Sequence, residues 1–430
     1  MRTTKSRRVG SLLAVAAFVL CGATVARADT STNRPGSILI FPKVVATTTR
    51  DTIIQITNTQ AMTVRTHCFY VNGSLDRHTG LPQWQETDFT LWLTRQQPTH
   101  FKVSTGRAVD PSDNFTAAGS SANAGIDPGL IPAMPTGFTG ELVCVDVEDS
   151  GDPLGDNALI GNATLRSTTG DVAKYNGTTV KAITPNEDNP LLLDDVHYNA
   201  CPSSLRVDLL SDGGRDPVVD AIGNSGRCLV SGGPCRTQGY CNVDANYLCS
   251  SDPDCNGLNL PGGTCNANPD CTGGMDVCTP GLCANDGTVA CSSDSDCTGV
   301  GGSCNLVQTS SVRNFLTLVP CSSDFENLVP GTVYVTTNVF DEFESRVSGN
   351  PIPVTCWTSL QVQSPLLGGA ANGFGLGTTV SAVITTGSAN AGVLGVAESV
   401  STDSAGNSAS SLINPMVKGS NPGDVIRISE

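Results

Sequence analysis

Twelve of the chain's 18 cysteines lie between Cys228 and Cys304. This segment, the cysteine block, contains eight Asp, one Arg and neither Lys nor Glu, and its large apolar residues are few and scattered. Such a composition cannot bury enough apolar surface to offset the conformational entropy lost on folding. Cross-links must therefore hold the block, and disulfides are the cross-links that cysteine-dense secreted segments use.

One pattern is written twice inside the block. Residues 241–265 and 283–304 share an opening cysteine, seven intervening residues, the core CSSDxDC, a glycine two residues further on, and a closing GG[TS]C. The segment CNANPDC at 265–271 repeats the five-residue cysteine spacing more loosely. A match of this length predicts two copies of one small unit.

The aspartates of the two cores are candidate calcium ligands. DPDCNG at 252–257 fits the opening of a calcium loop, in which alternate oxygens converge on the ion and glycine permits a sharp turn, and DSDCTG at 294–299 follows the same order. Both resemble the first half of an EF-hand loop and the aspartate-rich calcium repeats of thrombospondin type 3. The resemblance implies calcium ligation by Asp252, Asp254 and Asn256 in the first copy and by Asp294, Asp296 and Thr298 in the second.

An Asx-turn is the alternative for the same aspartates, because Asp before a small residue can cap its own backbone and a cysteine can then anchor the turn. The acid that an EF-hand carries at loop position twelve is replaced by Gly263 and Asn305. Thiolate-bound zinc is disfavoured, because the block contains no His and its dominant cysteine interval is five residues.

The N-terminus predicts secretion. Residues 1–28 combine a basic start, a short apolar run and an Ala-Arg-Ala cleavage pattern, as signal peptides do. We expect a periplasmic or extracellular protein, and no later segment is apolar enough to span a membrane. Removal of the leader with Cys21 leaves 17 cysteines, so at least one thiol is free or forms an intermolecular disulfide.

Charge argues against nucleic acid as a partner. The formal net charge is −16, and the leader carries basic side chains only, so the remaining chain is more acidic still. A surface of this sign repels phosphate and releases no counterions from it.

The segments on either side of the block have a β pattern. Val143, Val145 and Val147 line one face of a predicted strand, and we assign Glu141 and Asp146 to its other face. Alternation of this kind, with Gly, Pro, Asn and Asp between runs, predicts a mainly β fold of antiparallel Ig-like sandwich type. The predicted divisions are a signal peptide (1–28), a β-sandwich region (29–222), a disulfide-rich, loop-dominated repeat insert (223–311), and a second β-sandwich region or the completion of the first (312–430).

Two related sandwiches and one interrupted sandwich both fit these segments. The run TIIQITN at 52–58 parallels TVYVTTN at 332–338, which favours duplication. The combination of β-sandwich regions with CSxDxDC repeats resembles that of many secreted bacterial proteins, and that resemblance implies no activity.

No catalytic motif emerges, since the chain contains neither HExxH nor GxSxG. DVHYNAC at 195–201 lacks the second His and the Met of a copper site, so we expect Cys201 to form a disulfide. The sequence predicts a non-catalytic secreted structural or interaction protein, with an unidentified protein or surface glycan as partner. The alternatives are a carbohydrate-binding module, in which Trp84 would stack on sugar, and a secreted enzyme.

Calorimetric titration of the oxidised protein with calcium distinguishes a calcium site from an Asx-turn. A calcium site predicts binding heat at about millimolar calcium that disappears in Asp252→Ala/Asp254→Ala. The matched variant Asp294→Ala/Asp296→Ala should keep the heat of the first loop. Absence of heat in the wild-type protein, or identical heat in the first variant, would assign the aspartates to turns.

Overall fold

The computed structural model describes residues 30–74, 82–108, 129–186, 189–210, 311–341, 346–362, 379–388, 390–402 and 408–428, the backbone of short strands between 227 and 306, and residues 298 and 344. The mainly β prediction is confirmed: the described residues form strands and contain no helix. Among the described strands, every pair is antiparallel except the one between residues 323–324 and 426–427. No helix long and apolar enough to cross a membrane occurs in these residues.

In the part of the chain that the structure describes, nine strands form the first β unit. They are β1 (Ile38–Ala46), β2 (Arg50–Asn58), β3 (Val64–Asn72), β4 (Gln85–Leu93), β5 (Pro98–Lys102), β6 (Phe138–Val147), β7 (Leu159–Ser167), β8 (Val172–Asn176) and β9 (Thr178–Val180). β1 pairs with β2 only at Ala46 and Asp51, and at this point the chain passes from one layer of the unit to the other. One layer then runs β9-β1-β6-β3-β4, and the other runs β5-β2-β7-β8.

The two layers enclose one apolar core. β1 and β3 contribute Phe41 and Tyr70 from the first layer, whereas β2 and β7 contribute Ile54 and Leu165 from the second. The disulfide between Cys68 and Cys144 ties β3 to β6 inside this core. Alternation along these strands follows from the period-two geometry that the sequence predicts.

The first layer is covered on its other face as well. Ile38, Val143 and Phe69 point away from the first core and pack in a second cluster with residues from later in the chain. All nine residues of β1 are consequently buried. Strands covered on both faces read as continuous apolar runs, and the letters ILIFPKVVA are such a run.

The predicted polar face of β6 is not exposed. Glu141 opposes Val71 in register and lies on the same face as Val143, so our assignment of Glu141 to the other face was wrong. Both Glu141 and Asp146 are buried, with 1 % and 0 % of their surfaces exposed. Burial raises the pKa of both carboxyls, that of Asp146 to about 8 with help from the negative charge of Asp156.

The chain continues through β10 (Leu191–Leu193) and β11 (Ser204–Leu210) into the cysteine block. The described strands of the block are β12 (Arg227–Cys228), β13 (Gly239–Cys241), β14 (Asp244–Cys249), β15 (Cys265–Asn266), β16 (Cys278–Thr279), β17 (Gly281–Cys283), β18 (Asp286–Cys291) and β19 (Cys304–Leu306). Each copy of the sequence repeats forms a small three-stranded sheet, β14-β13-β15 in the first and β18-β17-β19 in the second.

The remaining strands are β20 (Ser311–Pro320), β21 (Ser323–Asp324), β22 (Thr332–Asp341), β23 (Arg346–Ser348), β24 (Ile352–Thr355), β25 (Thr358–Gln361), β26 (Thr379–Thr386), β27 (Val393–Thr402), β28 (Ser408–Ile413), β29 (Met416–Lys418) and β30 (Asp424–Arg427). The second β unit consists of the sheet β23-β22-β26-β11-β29, with β24 also on β22, and the sheet β25-β20-β27-β28. A third apolar cluster, with Leu205 and Ile384 from one sheet and Leu318 and Val393 from the other, fills the space between them.

The second β unit contains one strand from before the block, and its other described strands come from after the block. β11 lies within the range 29–222 that we predicted for the first β region, yet it pairs with β26 along its whole length. A small sheet, β10-β30-β21, joins the same two parts of the chain. The disulfide between Cys201 and Cys321 closes this junction covalently and confirms that Cys201 is disulfide-bonded.

Contacts between the two β units form at an irregularity in β1. The register against β6 shifts between Phe41 and Val44, so Pro42 and Lys43 leave the regular ladder. The Pro42 carbonyl then accepts a hydrogen bond from Trp357 Nε1 at 2.8 Å. Trp357 packs so closely on Gly73 that a Cβ there would lie 2.4 Å from the tryptophan Cβ, which excludes any side chain at that position.

The same irregularity directs the Lys43 side chain to Glu398 of β27, with Nζ and Oε2 2.5 Å apart. Arg50 also pairs with Glu398 and donates to Ser410 Oγ at 2.8 Å. The side chains of Lys43, Arg50 and Glu398 are 10, 21 and 4 % exposed. We call these three residues the ion cluster; they cross the boundary between the two units in a largely dry environment.

Replacing Glu398 by Gln should reduce the free energy of unfolding at pH 7 by about 3 kcal/mol, because two poorly solvated cations lose their anion. Burial alone would raise the pKa of Glu398, but Lys43 and Arg50 hold it below its ordinary value of 4.5. The stabilisation is therefore complete above pH 4.5 and disappears as the pH falls through the lowered pKa.

Chemical denaturation of both proteins at several pH values measures this difference. Asp208→Asn is the control, because its pair with Arg206 is more than half exposed and should contribute at most about 1 kcal/mol. A Glu398→Gln difference that is as small as the control, or that does not shrink in acid, would contradict the role of the ion cluster.

Candidate functional site

Most of the predicted calcium ligands lie outside the described residues. Asp252, Asp254 and Asn256 of the first loop and Asp294 and Asp296 of the second are among these. Thr298 is described, and it is exposed in a turn. The calcium prediction therefore stays a prediction.

Trp84 directly precedes the edge strand β4 and is half-buried. Its φ of 45° is a left-handed backbone conformation that bulky residues rarely adopt. Its N–H donates to the Asn72 carbonyl at 3.0 Å. Its ring lies 5.8 Å from that of Phe325 at an interplanar angle of 23°. The indole Nε1 is buried and has no acceptor among the described residues.

Phe325 continues an aromatic stack into the first β unit. Its ring lies 4.3 Å from Phe69 and nearly parallel to it, and the His67 ring lies 4.5 Å from Phe69 on β3. Phe325 follows β21, so this stack joins the first β unit to the small sheet at the junction. One face of Trp84 is thus used in packing, which is the alternative to sugar stacking for this ring.

Three carboxylates surround the stack. Glu86 and Asp88 project from β4 on the face that carries Phe69, and Asp324 precedes Phe325. Burial, together with the charges of Asp88 and Asp324, raises the pKa of Glu86 to about 7. Arg427 Nε lies 3.6 Å from Asp324 and compensates part of this charge. The group can therefore exchange a proton near neutral pH and attracts cations.

His67 lies at the inner side of the same group. Its Nε2 is 3.5 Å from an Asp88 oxygen, and its Nδ1 is 3.2 Å from Thr90 Oγ1. Burial lowers the pKa of His67 against the opposing effect of Asp88, so the ring is neutral at pH 7. The His67 ring therefore lies between the aromatic ring of Phe69 and two polar side chains of β4, those of Asp88 and Thr90.

A cysteine pair and a carboxylate meet at the junction of the units. The sulfurs of Cys201 and Cys321 and an oxygen of Asp424 lie within 4.8 Å of one another. The two sulfurs are bonded to each other, and the Asp424 oxygens accept hydrogen bonds from Ser322 Oγ at 2.6 Å and from the Gly392 N–H. The sulfurs are used in the disulfide and the Asp424 oxygens in hydrogen bonds, so these groups do not make a metal centre.

The sequence contains signals for the charged contacts that we did not predict. Lys43 is the single charge in the apolar run of β1, and it follows a proline. Glu398 is likewise the single charge in β27, VLGVAESVST. A lone charge in a strand that reads as buried on both faces indicates a buried partner elsewhere. The sequence around the lone charge does not identify the partner residue.

Comparison with protein-family models, with curated proteins and with solved structures finds no match to this chain.

Trp84→Ala should lower the free energy of unfolding by about 2 kcal/mol, because half of a large stacked ring is removed from the junction. A denaturation curve measures this loss, and a glycan array on the same variant tests the carbohydrate alternative. Trp92→Ala, at the other end of β4, is the matched control. Saturable glycan binding by the wild type that is lost only in Trp84→Ala would support a sugar-binding role, whereas unchanged stability would contradict the packing role.

Proposed function

We propose that this chain is a non-catalytic secreted interaction protein that acts outside the cytoplasm, with its two β units serving as a platform for the cysteine block. The supporting observation is topological: the block enters and leaves the second β unit at one end. The leader-like N-terminus and the density of cysteines support the location, and the acidic charge supports a partner other than nucleic acid. Ig-like topology of the β units and calcium in the block belong to this proposal as well.

The strand directions place the two ends of the block together. The Val393 N–H donates to the Pro202 carbonyl, and Leu205 lies against Gly395, so β11 and β27 run side by side in the same direction. β20 is antiparallel to β27, with Ser311 opposite Thr402. The last residue of β11, Leu210, and the first of β20, Ser311, therefore lie at the same end of the second β unit.

Other strand ends lie at this end, which we call the insert end. Leu210 opposes Thr379, and Asp341 opposes Val380, so β22 ends and β26 begins at the same level. β27 ends and β28 begins there too, because Thr402 opposes Ser408. Connections grouped at one end of a β scaffold are the usual location of binding residues.

The platform is suited to hold such an end rigidly. The ion cluster and the Trp357–Pro42 hydrogen bond cross the boundary between the units, and the disulfide Cys201–Cys321 lies in the buried cluster beside that boundary. Val396 and Leu412 of the second unit are part of the apolar core of the first. A rigid base reduces the entropy lost when the attached segment binds a partner.

A deletion that spares the platform tests the proposal. The variant replaces residues 211–310 with a flexible Gly/Ser linker between Leu210 and Ser311. Fluorescently labelled wild-type protein should bind saturably to intact cells of the source organism, and the variant should bind at least about tenfold more weakly, a change of about 1.4 kcal/mol. Flow cytometry over a concentration series measures both.

The unfolding midpoint of the β units is the control and should be unchanged by the deletion. Equal cell binding by the two proteins, or no saturable binding by the wild type, would contradict the proposed role of the block. Hydrolysis of any member of a substrate panel that is lost in His197→Ala would contradict the non-catalytic assignment.

A further inference from the structure

The two repeats of the cysteine block have the same backbone register. In the first, Gly239 opposes Cys249, and the register then shifts between Tyr240 and Cys241. In the second, Gly281 opposes Cys291, and the shift falls at the equivalent step. Strand order and irregularity both recur, so the sequence repeat is also a structural repeat of the backbone.

The third strand of each sheet places one cysteine opposite another. Cys241 of β13 opposes Cys265 of β15, and Cys283 of β17 opposes Cys304 of β19. These cysteines open and close each sequence repeat. A third opposed pair, Cys228 and Cys278, joins β12 to β16 outside the repeats.

Opposed positions of antiparallel strands have the right separation for a disulfide. Their Cα atoms lie about 4.5 to 5.5 Å apart, within or close to the range of about 4.4 to 6.8 Å found across disulfides. The first β unit provides an example in the same chain. Cys68 opposes Cys144 between β3 and β6, with Cα atoms 4.0 Å apart, and the two form a disulfide.

We infer that the cysteine block is cross-linked by disulfides between Cys228 and Cys278, between Cys241 and Cys265, and between Cys283 and Cys304. Each bond forms when two thiols lose two protons and two electrons to the disulfide of a thiol oxidoreductase, which is reduced to a dithiol. Each repeat is thereby closed covalently from its first cysteine to its last. This connectivity is independent of whether the block binds a partner.

The register also says which cysteines are not joined across these sheets. Cys249 and Cys291 oppose glycines, so neither has a cysteine directly across from it on β13 or β17. Six cysteines of the block, an even number, remain outside the three assigned pairs: Cys235, Cys249, Cys255, Cys271, Cys291 and Cys297.

The odd cysteine of the secreted chain is Cys356. Cys68, Cys144, Cys201 and Cys321 are paired, and Cys356 is free and buried. The twelve cysteines of the block can then pair completely among themselves. Burial, together with the charge of nearby Glu141, raises the pKa of the Cys356 thiol and keeps it unreactive in the folded state.

Peptide mapping of the wild-type protein tests the assignment directly. Free thiols are first blocked with a maleimide in denaturant, and the protein is then digested with pepsin in acid, where disulfide exchange is suppressed. Mass spectrometry should identify linked peptides for the three assigned pairs and the maleimide on Cys356. A linked peptide that joins Cys241, Cys283 or Cys228 to any other cysteine would overturn the corresponding pair.

Thiol counting in paired variants gives a second measurement. In denaturant, the wild-type protein should show a single reactive thiol, and Cys283→Ser should show one more, the released Cys304. The double variant Cys283→Ser/Cys304→Ser should return to the wild-type count. If Cys283 and Cys304 instead have two different partners, the double variant leaves both of those partner cysteines unpaired. Its thiol count then rises by two above that of the wild type. The pair Cys241→Ser/Cys265→Ser is the matched test in the first repeat.

Discussion

The ion cluster of Lys43, Arg50 and Glu398 is the contact on which the arrangement of the two β units depends. It forms where β1 leaves its regular ladder, and the same irregularity exposes the Pro42 carbonyl to Trp357. Because the three charges are largely removed from water, a displacement of either unit would leave a buried ion without its partner. The ion cluster thus adds a directional restraint on the relative position of the units to the apolar packing between them.

The first layer of the first β unit is covered on both faces, and this explains several features that alternation cannot. Its strands bury Glu141 and Asp146 together with their apolar neighbours. Both carboxyls have raised pKa values, because burial penalises their charged forms. The aromatic stack from Trp84 through Phe325 to Phe69 closes the same face at its edge. The second β unit and the junction sheet therefore cover the first unit's outer face. The two β units share buried clusters and are not independent domains joined by a linker.

The cysteine block follows a different principle of stability. Its few apolar residues leave covalent closure as the means of restricting the chain, and the register places cysteines of hydrogen-bonded neighbouring strands opposite one another. Attachment of both its ends at the insert end of the second β unit lets the platform and the block fold by separate means. That separation is consistent with a block whose surface residues are available for recognition.

Sequence alone was sufficient for the mainly β class, the disulfide of Cys201 and the repeat within the block, because each depends on local spacing or on composition. It was not sufficient for the strand β11, which belongs to the second β unit although it precedes the block. Nor did it indicate that Glu141 faces a buried cluster or that Lys43 meets Glu398, residues 355 positions apart. Local patterns show that a side chain is apolar or charged at a given period, whereas only the tertiary structure decides which second surface covers it, since that surface comes from a distant part of the chain.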